Sequence, residues 1–291
     1  MDISTEVLSF HRYGNIFEIL QLLKIGGFDA YDFTMFGADA FDILIDKEDY
    51  IERAEKVRKF SDDLGIKCNQ THATFPVIKR NDSEYNEKTF KSIVRSLEVS
   101  GILGAKACVV HPCNDYSAEQ NFGIYQRLLP FAKKNDVKIA LENMWNWDDV
   151  SDHAIKAACS DHADFKRHLD LLDEKWFIAC LDLGHAEMKG LNTSAVRMIE
   201  TLGKRLKALH IHGNDRHHDL HQLPYVSDVD FEPIINALVK VGYDGDITFE
   251  ADSFMPGFPI KLYPAAARLM YEIGVYFKNE INTRQRLNKY E

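Results

Sequence analysis

Acidic and histidine side chains recur in this sequence wherever a short run of apolar and β-branched residues ends. Four of them form the centre of the pattern: Glu142, Asp182, His212 and Glu250. Three carboxylates brought together repel each other, and burying them is costly unless a cation neutralises their charge. Mixed carboxylate and imidazole ligation suits Mn²⁺, Co²⁺, Zn²⁺, Ni²⁺ or Fe²⁺ without selecting among them. The sequence therefore predicts a divalent metal ion near these four residues, with its identity open.

Further histidine and aspartate residues follow the same runs or lie close to them. They are His72, His111, His185, His210, Asp215, Asp219 and His221. A lone histidine after a strand is more often a hydrogen-bonded rim residue than a ligand, whereas a carboxylate at the end of a buried strand seldom lacks a partner. We therefore expect Glu142 and Glu250 to be functional. We expect His210 to support the metal ligands from behind.

The elements that must position these residues alternate between short β-rich runs and longer amphipathic stretches, and the alternation occurs eight times. The predicted strands are Ile3–Phe10, Ala30–Met35, Ile66–Thr71, Ala107–Pro112, Lys138–Asn143, Phe177–Leu183, Leu206–His212 and Asp246–Ala251. The predicted helices include Tyr50–Leu64, Thr89–Leu103, Phe122–Asn135, Ala163–Leu172, Ser194–Gly203, Phe231–Val241 and Lys261–Asn279. No linker or change of composition divides the chain. We predict one domain, residues 1–291, with an α/β fold of the (βα)8 TIM barrel type.

Side-chain alternation along these strands indicates whether the polar groups converge. In the fifth strand Glu142 points toward the barrel axis, opposite Leu141, and Glu250 does so in the eighth. The sixth and seventh strands follow the same rule, and barrel enzymes place their active sites at the carboxyl ends of the strands. Two long loops, Phe75–Tyr85 and Asn143–His162, are expected to build or cover that face, although a plain surface insertion explains each equally well.

The composition limits the classes of partner. The chain has 45% hydrophobic and 27% charged residues, which is ordinary for a globular protein, and a net charge of −10, which disfavours a nucleic-acid partner. No apolar stretch approaches the ~20 residues that cross a bilayer, and the N-terminus carries no secretory signal, so a cytoplasmic protein is expected. The apolar pattern over Leu262–Phe277 fits either a homo-oligomer contact or packing against the barrel.

With these motifs in place, the chain resembles the sugar phosphate isomerase/epimerase superfamily. These xylose isomerase-like barrels include ketose 3-epimerases, inosose dehydratases and endonuclease IV. The resemblance covers nearly the whole chain. It rests most on Leu141-Glu142-Asn143, on Asp182-Leu183-Gly184-His185, and on the segment from His210 to Glu250.

The resemblance implies a divalent-metal-dependent isomerase or epimerase acting on a small keto-sugar, polyol or sugar phosphate. It assigns one catalytic metal to Glu142, Asp182, His212 and Glu250. The two glutamates would also act as acid and base on opposite faces of the sugar, through an enediolate intermediate. A dehydratase of the inosose type is an alternative, because the same base could expel a β-hydroxyl group. Substrate binding would fall to His185, His72, His111 and Asp215.

Endonuclease IV, a multi-zinc phosphodiesterase on abasic DNA, is the competing member of this superfamily, because its three-zinc pattern uses the same positions. In that pattern the three zinc ions are held by His72, His111 and Glu142; by Glu142, Asp182, His212 and Glu250; and by His185, Asp219 and His221. If the three-zinc pattern does not apply, His210, Asp219 and His221 would instead bind an extra metal ion or support the metal ligands. The negative net charge opposes the DNA reading.

The chain also departs from the best-known ketose 3-epimerases. Those enzymes carry a glutamate three residues after the metal-binding histidine, where this sequence has Asp215. They also carry an arginine further on, for which no clear counterpart exists here. The identity of the sugar therefore stays open.

Overall fold

The computed structural model describes residues 1–36 and 45–288. The strands in this part of the chain are β1 (Ile3–Thr5), β2 (Ala30–Thr34), β3 (Lys67–His72), β4 (Ala107–Val109), β5 (Lys138–Glu142), β6 (Asn146–Asp148), β7 (His153–Ile155), β8 (Phe177–Asp182), β9 (Leu206–His210) and β10 (Ile247–Phe249). The helices there are α1 (Ile16–Gly26), α2 (Tyr50–Leu64), α3 (Ser83–Leu103), α4 (Ala118–Asn135), α5 (His162–Asp170), α6 (Leu183–Glu187), α7 (Ala195–Leu202), α8 (Phe231–Val241) and α9 (Tyr263–Leu287).

The barrel closes through parallel pairing of neighbouring strands. One sheet runs in the order β2-β3-β4-β5-β8-β9, and β1 pairs with β10. Parallel bridges join Glu6 to Asp32 and Ile211 to Phe249, which connect the two sheets at both edges. The predicted (βα)8 TIM barrel fold is therefore confirmed.

The alternation of side chains separates two cores. Small and medium residues fill the inside of the barrel: Ala107, Val109, Ala140, Ile178, Cys180 and Ala208. Their neighbours in the strands, such as Leu141, Leu181 and Leu209, belong to the larger core between the strands and the helices. Since Glu142, Asp182 and His210 follow the inward residues at a spacing of two, their side chains point to the barrel axis.

Several predicted boundaries differ from the observed ones. The first strand ends at Thr5 rather than Phe10, because the chain turns into a short 3₁₀ segment at Leu8–Phe10. The predicted loop Asn143–His162 contains an antiparallel hairpin, β6 and β7. The hairpin packs Trp145 and Trp147 against Ala154, Met188 and Leu191.

Helix α9 packs along the barrel and is apolar on two faces. Ala266, Met270 and Phe277 are buried, while Leu269 and Tyr276 are exposed by 49% and 42%. This distribution explains the apolar pattern in the sequence without deciding between packing and a subunit contact. Among the described helices, none has the length and apolarity that a membrane span requires.

Candidate active site

Buried polar residues collect at the carboxyl ends of the barrel strands. Glu142, Asp182 and His210 are the last residues of β5, β8 and β9, and Glu250 follows β10. All four are at most 7% exposed. The strand ends predicted from the sequence therefore meet in one place.

The first set of converging groups, the carboxylate cluster, consists of Glu142, Asp182, His210 and Glu250. One donor atom from each lies within 4.8 Å of the others. His210 Nδ1 lies 3.0 Å from Glu142 Oε1 and 3.1 Å from Glu250 Oε2. Burial raises the pKa of Glu250, but His210 outweighs it and lowers the pKa to about 2. Burial also raises the pKa of Glu142, but His210 and His111 hold this pKa well below its ordinary value.

His210 is held from behind as well. Its Nε2 lies 2.9 Å from Gln70 Nε2 and 3.5 Å from Asp32 Oδ2, inside the barrel. Burial opposes protonation of His210, yet its acidic surroundings, including Glu250 and Glu142, raise its pKa well above the ordinary value. The expectation that His210 supports the ligands fits this geometry, and the same side chain also offers a donor to the carboxylate cluster.

Two histidines approach Glu142 from the β3 and β4 side. His72 Nε2 and His111 Nε2 lie 3.4 Å and 3.1 Å from Glu142 Oε2. The two histidine nitrogens are 3.0 Å apart. Three donor atoms therefore surround one point at spacings close to those around a bound divalent ion.

The second set, the histidine cluster, consists of His185, His212, Asp219 and His221, with donor atoms again within 4.8 Å of one another. Asp219 Oδ2 lies 3.1 Å from both His185 Nε2 and His221 Nε2. His212 Nε2 lies 2.9 Å from Asp182 Oδ1, which links the two clusters. Burial lowers the pKa of His185, but Asp182 and Asp219 raise it to about 10.

The donor set fits a divalent cation. Several buried atoms in it make no hydrogen bond of suitable geometry with the described residues, even where another polar atom lies close: Glu142 Oε2, Asp182 Oδ2, Asp219 Oδ1 and both ring nitrogens of His212. Buried polar atoms without partners are costly, and a cation would satisfy these together. The sequence groups His212 with Glu142, Asp182 and Glu250. In the structure His210 lies among those carboxylates, and His212 contacts them through Asp182.

One predicted residue lies apart from the clusters. The side chain of Asp215 is 38% exposed and bonds to His218 Nδ1 and to the backbone nitrogens of His217 and His218. These hydrogen bonds stabilise a turn in the loop. Asp215 is not among the described residues that line the cavity. The expectation that Asp215 binds substrate has no support in this geometry.

Two acidic residues at the mouth escaped the sequence analysis. Glu6, 2% exposed, accepts hydrogen bonds from Ser9 and Thr34. Burial, together with Glu250 and Asp252, raises the pKa of Glu6 well above its ordinary value. Glu6 follows β1, so the strand-end rule would have found it had the predicted strand stopped at Thr5. Asp252, two residues beyond Glu250, lines the cavity.

Members of both clusters line the floor of a cavity of about 490 Å³: Glu142, His185, Asp219, His221 and Glu250. Apolar residues from the segments after β2, β3 and β5 line one side, and the half-buried thiol of Cys113 lies at the rim. A cavity of this size accommodates a small organic ligand.

Comparison with known proteins places the chain in a family. The family model of the xylose isomerase-like TIM barrel matches residues 20–273. An uncharacterized protein of Methanocaldococcus jannaschii, MJ1311, is 26% identical over 192 residues, and the match spans 62% of each chain.

Solved structures share the fold at low sequence identity. A D-tagatose 3-epimerase-like protein has a TM-score of 0.74 at 17% identity, with 98% of this chain and 99% of that one covered. An L-ribulose 3-epimerase has a TM-score of 0.73 at 15% identity, with 99% of this chain and 97% of that one covered. IolI with a bound zinc atom has a TM-score of 0.69 at 15% identity, with 97% of this chain and 98% of that one covered. The chain belongs to the xylose isomerase-like TIM barrel family.

Proposed function

We propose that the protein is a divalent-metal-dependent isomerase or epimerase acting on a small keto-sugar or keto-polyol. The observation that carries the proposal is the convergence of Glu142 and Glu250, each with an oxygen within 3.1 Å of His210 Nδ1. Two carboxylates at one point suit the removal and return of a carbon-bound proton. The similar structures named as a D-tagatose 3-epimerase-like protein and an L-ribulose 3-epimerase support this class of substrate.

Glu142, Asp182, His212 and Glu250 would hold the metal ion. When bound, the ion polarises the carbonyl group of the substrate and so acidifies the neighbouring C–H bond. One glutamate then removes that proton to give the enediolate. The other glutamate, which starts the cycle protonated, returns its own proton from the opposite face, and proton exchange with solvent restores the starting state. His210 orients both carboxylates, and His185 donates a hydrogen bond to a substrate oxygen. Burial of Glu142 and Glu250 keeps bulk water from the reacting carbon.

The direct test is the isosteric variant Glu250→Gln. It cannot accept the proton, so we expect turnover of a ketose panel to fall at least ~10³-fold with the fold retained, a loss like that of other essential catalytic groups. Exchange of substrate hydrogen with deuterated water, followed by NMR, is the measurement. Glu55→Gln, which changes an exposed carboxylate on α2, is the matched control. Full activity of Glu250→Gln would overturn the mechanism, and formation of a dehydrated product would favour the dehydratase.

A second candidate, a multi-zinc phosphodiesterase, is favoured by one observation. The histidine cluster and the pair His72 and His111 provide donors beyond the carboxylate cluster, as three metal ions would require. Against it, the described lining of the cavity contains no lysine or arginine to contact a phosphate backbone. Elemental analysis separates the two candidates. About three zinc ions per chain, with cleavage of abasic DNA that His221→Ala abolishes, would replace our first proposal.

A further inference from the structure

The candidate active-site cavity has a polar floor and an apolar wall. Consecutive residues after β3, Phe75 to Ile78, have no polar side chain, and all line the cavity. Phe36 and Trp145 extend this surface from the segments after β2 and β5. We call these residues the apolar wall: Phe36, Phe75, Pro76, Val77, Ile78 and Trp145.

One side chain, that of His111, separates the apolar wall from Glu142. The ring of Phe75 stacks on His111 with centroids 4.7 Å apart, and Phe36 contacts Phe75 at 4.6 Å. His111 Nε2 lies 3.1 Å from Glu142 Oε2. A sugar whose reacting carbons lie at the glutamates can therefore place its remaining carbons against the apolar wall.

Polar groups at the outer rim are already engaged with one another. Asn114 Nδ2 donates to the backbone oxygen of Trp145 and to Asn146 Oδ1, both at 3.1 Å. Asn146 Nδ2 in turn donates to Asp115 Oδ1 at 3.3 Å. A hydroxyl group placed against the wall would lose its water and gain no partner there, which costs free energy.

The charge of the cavity disfavours a substrate with an anionic end. Five carboxylates line it, Asp115, Glu142, Asp219, Glu250 and Asp252, and none of the lining residues that the structure describes is a lysine or arginine. One divalent ion would neutralise two of these charges and His185, whose pKa is raised to about 10, would neutralise another, so the lining stays negative. A phosphate dianion would meet that field without a guanidinium or ammonium group to bind it.

We infer that the substrate of the proposed reaction is an uncharged sugar whose end remote from the reacting carbons is apolar, such as a deoxy or alkyl-substituted ketose. The inference rests on the proposed function and assigns the choice of substrate to the apolar wall. Phe75, 41% exposed in the absence of a ligand, is its central side chain.

The test compares the 2-ketohexoses in three forms: the free sugar, its 6-deoxy counterpart and its 6-phosphate. We expect kcat/KM for the 6-deoxy form to exceed that of its parent about tenfold, as one group in an apolar pocket commonly does, and the 6-phosphate to be inactive. A 6-phosphate that matches or exceeds its parent would overturn the inference and leave the proposed function intact. Equal rates for the free and 6-deoxy sugars would also overturn it. Absence of turnover for every compound would overturn the proposed function itself.

Variants of Phe75 locate the preference in the wall. Phe75→Ala should bring the ratio of 6-deoxy to free sugar close to one, whereas Phe75→Leu, which keeps an apolar side chain, should preserve most of it. Phe122→Ala removes a comparably exposed phenylalanine from α4 and should leave the ratio unchanged. The ratio is read within each variant, so a general loss of activity or stability does not mimic the effect. An unchanged ratio in Phe75→Ala would show that the wall does not select the substrate.

Discussion

Buried charge defines the site at the scale of single residues. His210 lies between Gln70 and Asp32 on one side and Glu142 and Glu250 on the other, so one imidazole connects the barrel interior to the candidate catalytic carboxylates. Glu6 lies in the same acidic region without a cationic hydrogen-bond partner among the described residues. Burial and the neighbouring carboxylates therefore hold the pKa of Glu6 above its ordinary value.

We predict that Glu6→Gln stabilises the metal-free protein in a pH-dependent manner. Because burial raises the folded-state pKa of Glu6 above 4.5, the contribution of Glu6 to stability is fully present below that pH and is lost as pH rises through the folded-state pKa. The variant stays neutral, so its advantage in unfolding free energy should grow as pH rises above 4.5, by up to about 1.4 kcal/mol per pH unit, and should level off above the folded-state pKa. Urea denaturation in the presence of a chelator measures it.

The matched control for Glu6→Gln is again Glu55→Gln, whose exposed side chain should add no pH dependence. An advantage that stays constant over this pH range would contradict a raised pKa for Glu6.

The residues that sequence analysis could place share a simple rule. Glu142, Asp182 and His210 end long apolar runs, so the period of two along a strand fixes their direction. The rule failed for Glu6, since a 3₁₀ segment interrupts the pattern that follows it. It could not place Asp215, because that residue lies in a loop whose course depends on contacts with His217 and His218.

At the scale of elements, close packing of helices on the barrel fixes the strand ends. Helix α9 approaches β1 and β10 at Gly274, where an added Cβ would lie 2.5 Å from Ile3 Cγ2 and 3.0 Å from Phe249 Cε2. Phe249 directly precedes Glu250, so this contact helps to position a candidate catalytic carboxylate. Sequence periodicity predicted the helix but gives no measure of how closely it approaches.

We expect Gly274→Ala to destabilise the protein by about 1 kcal/mol or more, because overpacking a core commonly costs about 1–3 kcal/mol and exceeds the gain in helix propensity. Gly123→Ala is the control, since nothing lies within 4 Å of a Cβ added there on α4. That variant should be neutral or more stable by up to about 1 kcal/mol. Denaturant midpoints measure both. Equal stabilisation by the two substitutions would show that α9 packs less closely than described.

At the scale of the whole molecule, the alternation of strands and helices was enough to predict the barrel. The hairpin of β6 and β7 was not predicted, because its short strands are stabilised by Met188 and Leu191, far along the sequence. The extent of the domain, residues 1–291, stays a prediction. The negative net charge, and the lack of lysine and arginine among the described residues that line the cavity, agree with the proposed uncharged substrate.

The proposed metal ion should stabilise the whole molecule. An ion present at 100 times its Kd stabilises the folded state by about 2.7 kcal/mol, so we expect a rise in Tm of several degrees when Mn²⁺, Co²⁺ or Zn²⁺ is added after chelation. Asp182→Asn should reduce that rise, and Asp149→Asn, at an exposed position, should not. Differential scanning calorimetry measures the shift. A Tm unaffected by every divalent ion would remove the metal from the proposal.

The cysteines add a means of observing the cavity by chemical labelling. Cys68, Cys108, Cys159 and Cys180 are buried, and Cys113 is partly exposed at the cavity rim. Burial raises the pKa of Cys113, so its thiol should react slowly with iodoacetamide at neutral pH and faster under alkaline conditions. Mass spectrometry should find one alkylated thiol per folded chain, and a sugar bound against the apolar wall should protect it. Occupancy of the cavity would then be measurable for compounds that bind and are never turned over.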